Sequence, residues 1–257
     1  MISIDERYVR RTAQEFGIPE AVAEQMAQRL RPCIYLVPDG QLSRKEKGRP
    51  AGRAGGLPWL PKEVEWPDGR APFALAIDCA ALPGDVLDIT LPTDGHLLFF
   101  IDFNYSTADS SAVLHVAPDA DTTERLATYE VNGERRETHV YEPCTLYPVV
   151  GQTVAHNWYD GPEVDAFLES GGDDMLLDEF KVAFLSGIHG EPFAGAIQIG
   201  GYSNPWQMPP AQGDCTLLAQ MQGDVFKYAN PFLNLIVGTG EEISARRFDA
   251  LRFEQQC

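Results

Sequence analysis

The densest run of chemically capable side chains lies between residues 160 and 179, where eight acids occur without a lysine or arginine. They are Asp160, Glu163, Asp165, Glu169, Asp173, Asp174, Asp178 and Glu179. Carboxylates at this density can hold a hard cation, exchange protons as a catalytic pair, or face a basic partner. A calcium loop needs oxygen ligands at alternating positions around a central glycine, and the sequence Asp173-Asp174 to Asp178-Glu179 has neither. General acid–base work needs two carboxylates in one pocket, and nothing in this spacing sets a pair together. Three uses remain, in descending order: a solvated acidic face, a contact surface for a basic partner, and last a catalytic carboxylate pair.

Other reactive side chains are scattered. His96, His115, His139, His156 and His189 never recur at three or four residues, so no helix face carries two of them. Cys33, Cys79, Cys144, Cys215 and Cys257 are odd in number and contain no CxxC pair, which reads as free thiols rather than a disulfide framework. The phosphate-loop pattern, the GxSxG elbow and HExxH are all missing, and Gly238-Thr239-Gly240 lacks the third glycine of a dinucleotide fingerprint. The sequence implies no metal and no cofactor. It leaves open whether the protein is an enzyme, with a binding protein favoured.

The formal net charge is −18, from 20 lysines and arginines against 38 acids. Such a field repels nucleic acid and anionic lipid, so neither is an expected partner. One segment runs the other way: Arg44, Lys45, Lys47, Arg49 and Arg53 face only Glu46 between Gln41 and Gly56, which reads as a solvated loop or an anion contact. The apolar run Leu97–Ile101 is too short to cross a bilayer. The opening residues carry Asp5 and Glu6 and lack the apolar core of a secretory signal. The cytoplasm is the expected location.

These side chains need elements to hold them. Ser3 and Glu6 form a capping-box pattern ahead of Val9, Ala13 and Phe16. Gly17 and Pro19 then separate that helix from a second, with Val22, Met26 and Leu30 on one side until Arg31-Pro32 stops it. Strands are expected at 33–37, 73–78, 96–103 and 113–117, with more between 125 and 150 around the hairpin signal Asn132-Gly133. The near-continuous apolar character of 96–103 predicts a strand covered on both faces. Gly161-Pro162 opens a helix with Val164, Phe167 and Leu168, and Gly171-Gly172 closes it.

The strongest local signal is Gly55-Gly56-Leu57-Pro58-Trp59-Leu60-Pro61, followed by Trp66-Pro67. Glycines that supply positive φ, prolines that fix φ and large aromatics among them predict a rigid loop whose tryptophans plug the core or rim a binding surface. Burial of Trp59 and Trp66 is the expected outcome. The pattern returns as Gly200-Gly201, Pro205-Trp206 and Pro209. In each half two apolar segments follow in the same order: Phe73–Asp78 then Leu97–Ile101, and Thr216–Met221 then Phe232–Ile236. Gly55, Gly56, Trp59, Trp66 and Trp206 are therefore the candidate loop or pocket-rim residues.

The first loop, with the Ile77-Asp78 pair and the segment Leu91-Pro92 to Phe99-Phe100, resembles the signature of the YwqG-like proteins, a bacterial family of unknown function. Gly200-Gly201-Tyr202 to Gln207, Leu217 to Gln220 with Asp224, and Glu241 to Phe253 resemble its second half. The resemblance spans about residues 33 to 253. It departs at Arg53-Ala54 and at Tyr228–Pro231, where the family has a serine-containing lead-in and a Trp-Gly-Asp turn. It implies an α+β fold built from two similar motifs in tandem. With the repeat and the helix signals read above, the expectation is two β-rich motifs forming one pseudo-symmetric unit after an N-terminal helical hairpin. A single domain is expected over 1–257, with the hairpin in 1–31, a first half in 33–150 and a second in 151–257.

The resemblance implies no activity, but such domains associate with toxin gene clusters. With the acidic run, that suggests a non-catalytic protein-binding module, in its sharpest form an immunity-type protein neutralising a basic toxin. The alternative is a small-molecule-binding protein or enzyme with a pocket between the halves, lined by Trp59, Trp66 and Trp206.

Overall fold

The computed structural model describes residues 6–42, 48–68, 70–103, 111–189, 197–207, 209, 215–222, 226 and 232–256. The Ser3 cap, the basic residues Arg44, Lys45 and Lys47, and Tyr228–Pro231 fall outside them. Helix α1 (Glu6–Phe16) buries Val9, Thr12 and Ala13 on one side. It ends at Gly17, whose φ of +65° lets its N–H reach Gln14 O while Ile18 N reaches Ala13 O, closing the last turn. Helix α2 (Glu20–Ala27) follows Pro19 and buries Val22, Ala23 and Met26. It stops earlier than its periodicity predicts, because Leu30 already belongs to the first strand.

That strand, β1, spans Leu30–Pro38, followed by β2 (Gly52–Ala54), β3 (Trp59–Pro61), β4 (Phe73–Asp78), β5 (His96–Phe100), β6 (Ala112–Val116) and β7 (Thr122–Glu124). Then come β8 (Thr128–Val131), β9 (Glu134–Glu137) and the long β10 (Cys144–Val154). After helices α3 (Pro162–Glu169) and α4 (Asp174–His189) the strands β11 (Ile197–Ile199), β12 (Cys215–Gln222) and β13 (Leu233–Thr239) follow. Helix α5 (Gly240–Ser244) and β14 (Arg252–Gln256) complete the described chain.

Ten strands form one antiparallel sheet in the order β14-β13-β12-β11-β1-β10-β2-β4-β5-β6. The central pair β1–β10 matches nine consecutive residues, Leu30↔Val154 to Pro38↔Leu146. From it the sheet extends through β11 to β14 on one side and through β2, β4, β5 and β6 on the other. It curls so far that the short turn Phe248–Ala250, beside β14, packs against β6 at the opposite edge. Strand β2 lies inside the segment expected to be a basic loop. Its three residues bridge β10 and β4, and Arg49 just before it pairs with Asp78 at 2.6 Å.

Both faces of the sheet are covered. The main core takes alternate residues such as Ile34, Leu36, Leu75, Leu97, Phe99 and Ile236. The intervening Leu98 and Phe100 pack on the other face with Leu60, Phe73 and Val116. That two-sided burial explains the unbroken apolar run in β5. A third cluster, with Met26, Phe180 and Phe184, sits beneath α1, α2, α3 and α4. Smaller pairs β3–β7 and β8–β9 stand apart, the second turning at Asn132-Gly133 with φ of +54° and +80°.

Candidate functional site

The acidic run is carried by α3 and α4, and the sequence builds both firmly. Strand β10 ends at Val154, and Trp158 then drops into the helical cluster, where Gln25 Nε2 donates to its carbonyl at 3.1 Å. Pro162 opens α3, with Glu163 and Asp165 in its first turn, where the unpaired N–H groups favour negative charge. The chain reverses at Gly171, with φ of +96°. A side chain on Gly172 would strike the Phe167 ring, so the link to α4 packs closely. Asp173 Oδ1 accepts from Met175 N at 2.9 Å, tying down the entry to α4.

Helix α4 turns Leu177, Phe180 and Phe184 inward. Its spacing then sends Met175, Asp178, Glu179 and Val182 outward. All eight acids from Asp160 to Glu179 are exposed. Among them stand Tyr159, Leu168, Met175 and Val182, four of the eight large apolar side chains exposed in the described chain. Met175 is 69% exposed and Val182 52%. Lys181 offsets part of the charge, 3.1 Å from Asp178 Oδ1. The result is an acidic surface with apolar anchors set into it. Reading the charges alone misses those anchors, although Leu168 and Met175 lie between the acids in the sequence and Tyr159 and Val182 flank the run.

The glycine–tryptophan loop has a different role. Gly55 and Gly56 adopt φ of +64° and +75°, and their N–H groups donate to Ala74 O at 2.8 Å and Tyr141 O at 2.9 Å. A Cβ on Gly55 would stand 2.8 Å from Tyr141 O and closer still to Glu142 O, so only glycine fits. Trp66 is half-buried, with its ring 5.0 Å from Phe100 and its Nε1 donating to Ala71 O at 2.9 Å. Trp59 does not plug the core. It sits on β3 with 54% of its surface exposed, because Leu60 takes the inward position of that short strand and alternation turns Trp59 out.

Trp206, in the second loop, is also exposed, and its backbone N–H donates to Gln256 Oε1 at 2.8 Å. Strands β2 and β11, which lead into the two loops, are separated by β1 and β10. Cavities of about 310, 460 and 380 Å3 open among the described residues. Trp59 lines one and Trp158 another, and none of the three is shared by Trp59, Trp66 and Trp206. No group of three or more His, Cys, Asp or Glu side chains converges on one point among the described residues. No helix among them is long and apolar enough to cross a membrane.

Residues 52–257 match the family described as Domain of unknown function (DUF1963). The chain belongs to that family. The matched span begins at the first residue of β2 and includes both Gly-Gly turns, α3 and α4, while α1, α2 and β1 precede it. No curated protein matches the chain.

Proposed function

We propose that this DUF1963 protein is a non-catalytic binding protein that holds a basic protein partner against the outer faces of α3 and α4. The observation that carries this reading is that exposed Leu168 and Met175 lie among eight exposed carboxylates, with exposed Tyr159 and Val182 flanking them. Exposed apolar side chains within a polar rim characterise interaction surfaces, and methionine adapts its shape to a partner. Carboxylates around them steer a basic partner into contact and raise its association rate. In its sharpest form the protein is a YwqG-like, bacterial immunity-type protein that neutralises a basic toxin. The four cysteines among the described residues, Cys33, Cys79, Cys144 and Cys215, are free thiols, which suits a reducing cytoplasm.

The tandem-motif reading draws support from register. Each Gly-Gly turn leaves a three-residue strand, β2 or β11, and returns through a longer one, β4 or β12. Ala54 faces Leu75 and Ile199 faces Ala219, while Gly55 N donates to Ala74 O and Gly200 N to Leu218 O. The next pairings slip in the same place, between Phe73 and Leu75 and between Leu217 and Ala219. Superposing 52–56, 73–78 and 96–100 on 197–201, 217–222 and 233–237 in an experimental structure tests it. Non-superposable strand directions would end it.

The partner reading is tested by capture from the native organism at low and high ionic strength. A basic protein retained at low salt and released at high salt supports it; capture indifferent to salt contradicts it. A second reading, a small-molecule-binding protein or enzyme, is favoured by the cavity walled by Trp158.

A further inference from the structure

On the flank of α4 the helix, the end of β10 and the chain after Gly200-Gly201 enclose a cavity of about 310 Å3. Its walls include Tyr35, Thr153, Trp158, Lys181, Ser186 and Tyr202. The second Gly-Gly turn fixes this rim. Tyr202 N donates to Thr153 Oγ1 at 2.7 Å, and the buried Gln198 amide donates to Gly200 O at 2.9 Å and Tyr202 O at 2.8 Å. The Arg31 guanidinium lies 5.1 Å over the Tyr202 ring. The walls are therefore formed before any ligand arrives, which lowers the ordering cost of binding.

Trp158 carries the argument. It is 2% exposed, and its Nε1 is buried without a hydrogen-bond partner in the described structure. Its backbone is satisfied, with N–H donating to Ala155 O at 3.0 Å and the carbonyl accepting from Gln25. An indole N–H is only a donor, and leaving one buried and unpaired costs the desolvation of that group with nothing in return. A molecule in the cavity that Trp158 walls supplies the missing acceptor where a turn of the indole brings that buried N–H to the cavity surface.

The charge of that molecule follows from the lining. No Asp or Glu lines the cavity of a chain with a net charge of −18, whereas Lys181 and His156 do. Tyr35, its hydroxyl held neutral by burial, contributes an aromatic wall together with Trp158 and Tyr202. We infer that the cavity binds a small organic acid, a carboxylate on a planar apolar body, which pairs with Lys181 and accepts the Trp158 indole N–H. The cavity shares Val182 with the partner face, and Lys181 also meets Asp178 of the acidic run, but the test reads the ligand alone.

The test titrates the full chain with benzoate, using benzamide as the neutral control and benzylamine as the cationic one. The readout is the Trp158 indole 1H–15N resonance. Phe variants of Trp59, Trp66 and Trp206 assign the other three indoles, so Trp158 is identified without altering its packing. Benzoate is expected to move that resonance saturably, benzamide less tightly and benzylamine not at all. Lys181→Gln is expected to weaken benzoate roughly tenfold, the loss of one charge-assisted contact. A resonance that none of the three compounds moves overturns the site. Equal affinities for benzoate and benzamide, or an unaffected Lys181→Gln variant, overturn the assignment to an anion.

Discussion

The Gly55–Trp66 loop and the α3–α4 segment stand out equally in the sequence, and the structure uses them in opposite ways. In the loop the glycines are locked against the carbonyls of Tyr141 and Glu142, and Trp66 packs on Phe100. Its conspicuous residues are mostly committed to holding β2, β4 and β10 together. In α3 and α4 the inward residues Val164, Leu177, Phe180 and Phe184 suffice for packing. Among the outward ones, Asp173 and Asp174 accept from Met175 N and Asp178 meets Lys181. A segment whose exposed apolar and charged groups do little for its own fold is the better candidate for a partner.

The largest effect should come from the locked turn. Gly55→Ala forces a side chain into positive φ and against backbone, and should destabilise by about 2–4 kcal/mol. Gly17→Ala has the same φ but open space, and should cost about 1 kcal/mol. Urea midpoints of the two variants give the comparison, and equal losses would mean that the close approach to Glu142 is unimportant. Next come the tryptophans. Trp66→Ala should cost about 2–3 kcal/mol and Trp59→Ala less than about 1 kcal/mol, read from thermal or urea unfolding. The reverse order would restore Trp59 as the plug.

Alkaline pH should weaken the core without involving either segment. Burial pushes the Cys33 thiol up to about 12 and the Cys79 thiol to about 11, from an ordinary value of 9.0. Between those values the folded chain keeps protons that the unfolded chain releases, so stability falls as pH rises. It should be constant with respect to these groups below about pH 9, then decline by up to about 1.4 kcal/mol per pH unit for each thiol. Unfolding midpoints from pH 8 to 11 measure the slope, and a flat profile would contradict it. At pH 8, Cys144 and Cys215 should react with a thiol reagent well before the buried pair.

How much of this was legible depends on whether local sequence or distant pairing decided the outcome. The α1 turn at Gly17, the Asn132-Gly133 hairpin and the covered strand β5 follow from local chemistry, and the sequence reading finds them. The sequence reading closes its helix at Gly171-Gly172 and misses α4, because the charges obscure the Leu177, Phe180 and Phe184 stripe that forms its inner face. Strand β2 is three residues long, and only β10 and β4 make it a strand. Trp59 turns outward through the pairing of β3 with β7, which joins residues far apart in the chain. Pattern matching aligned Phe99 with Asn234, whereas the pairings of Leu75 with Phe99 and Ala219 with Ile236 shift that correspondence by two. Of the candidate site, the carboxylates were legible, and their apolar companions and the Trp158 cavity required coordinates.

The smallest effect on stability should accompany the largest effect on binding. Replacing Glu163, Asp165, Glu169 and Glu179 with Gln or Asn spares the Asp173 contact. Relief of like-charge repulsion offsets the lost attraction of Glu163 and Asp165 to the start of α3, so melting should change little. Met175→Ser with Val182→Ser should likewise change stability by no more than about 0.5 kcal/mol, since both side chains lie in solvent. The decisive measurement is quantitative capture from the native lysate by the wild-type chain and these two variants, with melting temperatures recorded in parallel. The partner reading predicts a basic protein retained by the wild type and lost by both variants at unchanged melting temperature. Equal capture by all three chains would contradict it.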